Sequence, residues 1–201
     1  MLKPIFRAVL ISLALYACSS SAALRVGEPA PDFEGEDTQG KVHRLADFRG
    51  KTLVLEWTNH DCPYVRKHYS AGNMQDQQRE AAAQGVVWLS VISSAPGKQG
   101  HVSPQQADDL TRSRDAAPQA VILDTESTIG RDYGAKTTPH MYIIDATGTL
   151  VYMGGIDSVP TSNPGDIPQA TQYVRLALQE LAAGKPVSTP VTRPYGCSVK
   201  Y

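Results

Sequence analysis

Three features predict an α/β domain of three layers: apolar strands alternating with helical segments, a hairpin signal before residue 150, and an amphipathic helix near the end. Residues 24–50 hold turn-formers and charges, with GEPAPDF as an extended arm and ADFRGK as a turn into the core. Residues 52–58, TLVLEWT, are β-branched and apolar without clean alternation, which predicts a central strand covered on both faces. A helix is predicted from about Cys62 to Gln84, closed by Gly85, with Ala71-Gly72-Asn73 as a candidate break. Residues 86–92 form a second buried strand at a distance suited to a right-handed crossover. A flexible loop over 93–100 precedes a short polar helix, with Ser103 as N-cap and Pro104 in its first position.

Short strands are predicted over 120–123 and 141–144, with a helical turn or two over 128–133 between them. Asp145-Ala146-Thr147-Gly148 turns the chain into a strand over 150–153. Residues 166–183 place Ile167, Ala170, Val174, Ala177, Leu178 and Leu181 on one helical face, stopping at Gly184. The last stretch, 185–201, has three prolines and no helical period, so it is expected as an extended tail free to lie over the domain.

The first 23 of the 201 residues have the parts of a secretory signal: Lys3 and Arg7, an apolar run too short to span a bilayer, then small residues. Leu15-Tyr16-Ala17-Cys18 resembles a bacterial lipobox, which makes Cys18 a candidate lipidation site. Ser20-Ser21-Ala22 would serve an ordinary signal peptidase. The division expected is thus a signal over 1–23, one domain over 24–184, and a tail over 185–201 carrying Cys197. The product would be periplasmic, or held at a membrane only by a lipid anchor. A formal charge of −1, with both signs scattered, gives no polyanion-binding surface, and no nucleic-acid role is expected.

Two thiols remain, Cys62 and Cys197, in an oxidising compartment. A structural disulfide between them is one reading. Reactivity is another, because a cysteine opening a helix has free amides and the positive end of the dipole to stabilise its thiolate. Arg66 and Lys67 add positive charge while Asp61 opposes them, and Pro63 suits the first helical position. Pro139, directly before a strand, either ends pairing as an ordinary trans proline or takes the cis form.

In order, VGEPAPDF, LADFRGKTLVLEWTNHDCPYV and YGAKTTPHMYIIDATGTLVYMGG resemble the thioredoxin superfamily, and more closely its redoxin branch with the peroxiredoxins of the AhpC/TSA type. The resemblance runs from about Val26 to Gly155. It implies a thioredoxin-like fold with a central mixed sheet flanked by helices. It also implies that Cys62 is the nucleophile, faced by Thr138 and a cis Pro139, with Thr58 and Asn59 shaping the site. Two departures stand out. Val65 occupies the second place of a CxxC pair, and Asn59 stands where peroxiredoxins carry a threonine.

The resulting expectation is a thiol-based oxidoreductase with no bound cofactor and no metal, in which Cys62 attacks a small peroxide and Cys197 resolves it. An unidentified thiol would return the electrons. Exchange with disulfides of exported proteins is the alternative. A copper chaperone using His60, His68 or His140, and a non-enzymatic binding module, represent other classes. The Cys62–Cys197 pair itself is open to four forms: a cycling disulfide, a permanent one, independent thiols, or a bridge between chains.

Overall fold

The computed structural model describes residues 24–201; the signal reading of 1–23 and Cys18 fall outside the described residues. A hairpin of β1 (Glu34–Glu36) and β2 (Val42–Arg44) leads through a 3₁₀ turn, Leu45–Phe48, into the domain. The sequence predicts only an arm and a turn here, because three-residue strands are too short to show a period.

The main sheet has β3 (Leu53–Trp57) at its centre, with β4 (Val87–Ile92) and β5 (Ala120–Leu123) parallel on one side. On its other side are β7 (His140–Ile144) and then β8 (Leu150–Gly154), each antiparallel to its neighbour. All five residues of β3 are buried, since layers cover both faces, and this explains the missing alternation in TLVLEWT. One face packs Leu53, Leu55 and Trp57 against Leu89 and Tyr142. The other packs Val54 and Trp88 against Val65, Met74 and Val174.

The predicted helix over 62–84 is two helices, α1 (Pro63–Ser70) and α2 (Asn73–Ala83). Gly72 separates them at φ 74°, a left-handed conformation that no helix interior contains and that glycine adopts without a Cβ clash. α3 (Pro104–Ser113) begins as expected, with Ser103 and Gln106 forming a reciprocal capping box. α4 (Thr128–Asp132) is capped by Asp124, whose carboxylate accepts from the Ile129 and Gly130 amides. Asp145 organises the β7–β8 turn by accepting from the Thr147 and Thr149 amides.

The helix predicted over 166–183 is shorter. α5 spans Tyr173–Ala182, while Ile167 belongs to a separate 3₁₀ segment, Pro164–Gln169, and Ala170 ends it. The helical spacing of Ile167 and Ala170 does not mark one helix, because the backbone at Ala170 is extended, with φ −83° and ψ 140°, and ends the 3₁₀ segment before α5 begins.

The tail is extended but not free. Met153 donates to the Pro190 carbonyl at 3.0 Å and receives the Thr192 amide at 3.1 Å. Then β9 (Cys197–Ser198) pairs antiparallel with β6 (Thr137–Thr138), setting Cys197 opposite Thr138.

Candidate active site

Cys62 stands at the N-cap of α1, with extended backbone and Pro63 in the first helical position. Its amide donates to the Asn59 carbonyl at 3.1 Å, and the Asn59 side chain accepts from the Asp61 amide at 2.9 Å. Asn59 also donates to the Gln99 carbonyl at 3.2 Å, so it ties the nucleophile's turn to the neighbouring loop without touching the sulfur. Thr58 is buried at the end of the central strand and lines a small cavity with Ser90 and Arg114. Its hydroxyl has no hydrogen-bond partner among the described residues.

The sulfur is fully buried. The thiol lies 3.0 Å from the Thr138 carbonyl, to which it donates, and the Cys197 amide points at the sulfur from 3.4 Å. The Thr138–Pro139 bond is cis. Cys62, Thr138, Pro139 and Cys197 are therefore brought together from residues far apart in the chain. Asn59 and Pro63 shape the turn, and Thr58 stands behind it. The two cysteines are free thiols here.

Their electrostatics differ in sign. Burial pushes the Cys62 thiol up, but hydrogen bonds from the Cys197 thiol and amide and from the Val65 amide outweigh it, so Cys62 ionises below the ordinary thiol value. The Thr138 carbonyl contact works against this, since only a protonated thiol donates to it. Burial and the neighbouring Cys62 sulfur push Cys197 up to about 11. Of the two, Cys62 is the one that ionises first.

The side chains flanking Cys62 in sequence do not supply the expected positive field. Arg66 turns to Asp61 and the His60 carbonyl at the surface. Lys67 turns inward and is fully buried against Asp157. Stabilisation of the thiolate comes from amides and a thiol instead. The histidines are spread apart: His140 faces Tyr142 and His68 faces Asn73 and Tyr195. Among the described residues no three His, Cys, Asp or Glu side chains gather as a metal cage.

Residues 26–153 match the AhpC/TSA family. The chain belongs to that family. This AhpC/TSA member is 26% identical over 139 residues to the thiol-disulfide oxidoreductase ResA of Geobacillus thermodenitrificans, covering 66% of this chain and 70% of the relative. A hypothetical protein from Sinorhizobium meliloti 1021 shares the fold with a TM-score of 0.77 at 23% identity, over 90% of this chain and 96% of that one. The exposed lipoprotein thioredoxin Etrx1 of Streptococcus pneumoniae superposes with a TM-score of 0.50 at 24% identity, over 69% and 96% of the two chains. The fold of this AhpC/TSA member is thus thioredoxin-like.

Sequence reading missed two groups. Glu56, inside the central strand, is fully buried and accepts from Tyr69, Gln78, Trp88 and Ser90, with burial pushing its carboxyl up. Its signal was a single acid within TLVLEWT. The second group is Lys67, His68, Asp157 and Tyr195, whose positions in sequence carry no sign that they meet.

Proposed function

We propose that the chain is a two-cysteine thiol oxidoreductase in which Cys62 attacks a small peroxide and Cys197 resolves the product. The observation that carries this reading is the Cys197 backbone amide aimed at the Cys62 sulfur, with the ionisable thiol and the protonated one side by side. The burial of Cys62 under its own tail favours a small oxidant, which needs less displacement of β9 than a protein does. The Cys62 thiolate attacks one peroxide oxygen. The O–O bond breaks, the departing hydroxide takes up a proton from solvent and leaves as water, and the sulfur becomes a sulfenic acid. Cys197 sulfur then attacks Cys62, the S–O bond breaks, and a second water leaves. An external thiol restores both cysteines.

Exchange with protein disulfides is the second reading, favoured by the likeness to ResA and by a β6 edge that already pairs with a cysteine-bearing strand. In that case Cys62 forms a mixed disulfide and Cys197 releases the partner's thiol. Thr138 and Pro139 border the attacked atom in both readings. The proposed setting is outside the cytoplasm, on the strength of the signal-like residues 1–23, with the domain proposed over 24–184 and the tail over 185–201.

One equivalent of hydrogen peroxide, followed by peptide mapping, tests this. The expected product is a Cys62–Cys197 disulfide that disappears with reductant and does not form in Cys62→Ser. Cys62 left unmodified while exposed thiols of a control peptide oxidise would overturn the peroxide reading, and the same assay with oxidised glutathione decides the second.

A further inference from the structure

Beneath the tail lies a set of polar side chains that the reaction above does not use. Lys67 is fully buried, and its Nζ donates to Asp157 Oδ2 at 3.1 Å and to the Val159 carbonyl at 2.8 Å. Asp157, also fully buried, receives the Val159 amide at 3.0 Å and the Tyr195 hydroxyl on Oδ1. The Tyr195 oxygen in turn accepts from Lys67 Nζ at 3.4 Å and lies 3.1 Å from His68 Nε2. Asn73 donates to His68 Nδ1 at 2.9 Å, which leaves Nε2 as the protonated nitrogen and a donor to Tyr195. One hydroxyl, two residues before Cys197, is therefore held by three side chains at once.

A second clamp lies beyond Cys197. The Val199 amide donates to the Lys136 carbonyl at 3.1 Å, the Lys200 carbonyl accepts from Ala95 at 2.9 Å, and the Tyr201 hydroxyl donates to the Ala135 carbonyl at 2.6 Å. Between the clamps, Gly196 passes so close to the Thr138 carbonyl that any Cβ would collide with it. Cys197 is thus suspended over Cys62 between two fixed points. A buried ion pair carries a desolvation cost that apolar packing lacks. Here the pair presents Asp157 Oδ1 and a Lys67 N–H to a single tail residue.

We propose that Tyr195, gripped by Asp157, Lys67 and His68, is the positioning residue that keeps Cys197 at Cys62 and so decides whether oxidised Cys62 closes internally or is captured by an outside thiol. This rests on the two-cysteine reading above. The latch acts on the second step only. With it closed, Cys197 attacks the Cys62 sulfenic acid, the S–S bond forms as the S–O bond breaks, and water carries off the Cys197 proton. With it open, an external thiol such as glutathione makes the same attack, giving a mixed disulfide and water.

Tyr195→Phe removes the hydroxyl and leaves the ring edge-on to Tyr64 at 5.8 Å. The native protein and the variant are each treated with one equivalent of hydrogen peroxide in excess glutathione, quenched with acid, and mapped by mass spectrometry. The ratio of Cys62–glutathione adduct to Cys62–Cys197 disulfide is expected to rise by about tenfold or more in the variant, while the rate of peroxide consumption stays within about threefold. Amide exchange at Gly196 and Cys197 is expected to quicken, with the β3 amides unchanged. An unchanged product ratio overturns the latch. Should Cys62 fail to react in the native protein, the functional reading falls, and exchange at Cys197 that is the same in both proteins overturns the latch by itself.

Discussion

Cys62 and His68 show how burial and hydrogen bonding move a charge in opposite ways on neighbouring turns. Amides and the Cys197 thiol favour the Cys62 thiolate despite burial, so its alkylation rate should climb through a midpoint below 9.0 and fall as acid is added. Peptide-mapped alkylation across pH measures this; a midpoint at or above that value contradicts the assignment of Cys62 as nucleophile. His68 has no such compensation. Burial pushes its ring from 6.5 down to about 4, with the Lys67 charge reinforcing the shift and Asp157 opposing it. The folded protein therefore refuses a proton that the unfolded chain binds, and stability is complete above about 6.5, declines as pH falls toward 4, and declines no further on this account. The loss is roughly 3 kcal/mol. Urea unfolding at pH 7 and pH 4 should show a loss about 3 kcal/mol smaller in His68→Gln than in the native protein, the part that remains reflecting His140, which burial holds down at about 3.

At the level of elements, α1 serves two purposes. Its first residue side presents the Cys62 turn, and Lys67 and His68 reach the tail from its last turn. Lys67→Met should destabilise the fold by about 3–5 kcal/mol, because Asp157 is left buried and charged, whereas Lys67→Met with Asp157→Leu should recover most of that loss. Chemical denaturation of the single and double variants distinguishes a true pair from two independent contacts. The β6–β9 ladder has its own weak point at Gly196. Gly196→Ala should lift β9 from Thr138, expose Cys62 to alkylating reagents, and leave the main sheet intact. Equal protection of Cys62 in the native protein and this variant would show that the tail does not cover the sulfur in solution.

Over the whole molecule, joining Cys62 to Cys197 closes a loop with a sequence separation of 135 residues. In the chain-entropy picture such a closure stabilises the oxidised form by about 5 kcal/mol if no strain is introduced. Denaturation of the oxidised and reduced forms should separate accordingly. A cycling pair must still be reducible, so its potential is expected above about −300 mV, where permanent structural bridges do not lie. A lower value would assign the pair to structure.

Much of the fold was legible because it rests on local rules. An unbroken apolar strand such as TLVLEWT signals burial on both faces, Ser103-Pro104 starts a helix by capping, and Asp145 through Gly148 makes a turn from its own side chain. Cys62, Pro63, Thr138 and Pro139 could be picked out because the motifs that flank them are contiguous. Other features were out of reach of any local pattern. The last helix is shortened by the extended backbone at Ala170, and the docking of Tyr195 came from partners on α1 and near Asp157. By itself the sequence determined which residues form strands and helices and which sulfur opens one, because those depend on neighbours along the chain. Only the tertiary structure decided that Lys67 lies buried rather than beside the thiolate and that Cys197 stands at Cys62, because burial and charge pairing depend on neighbours in space.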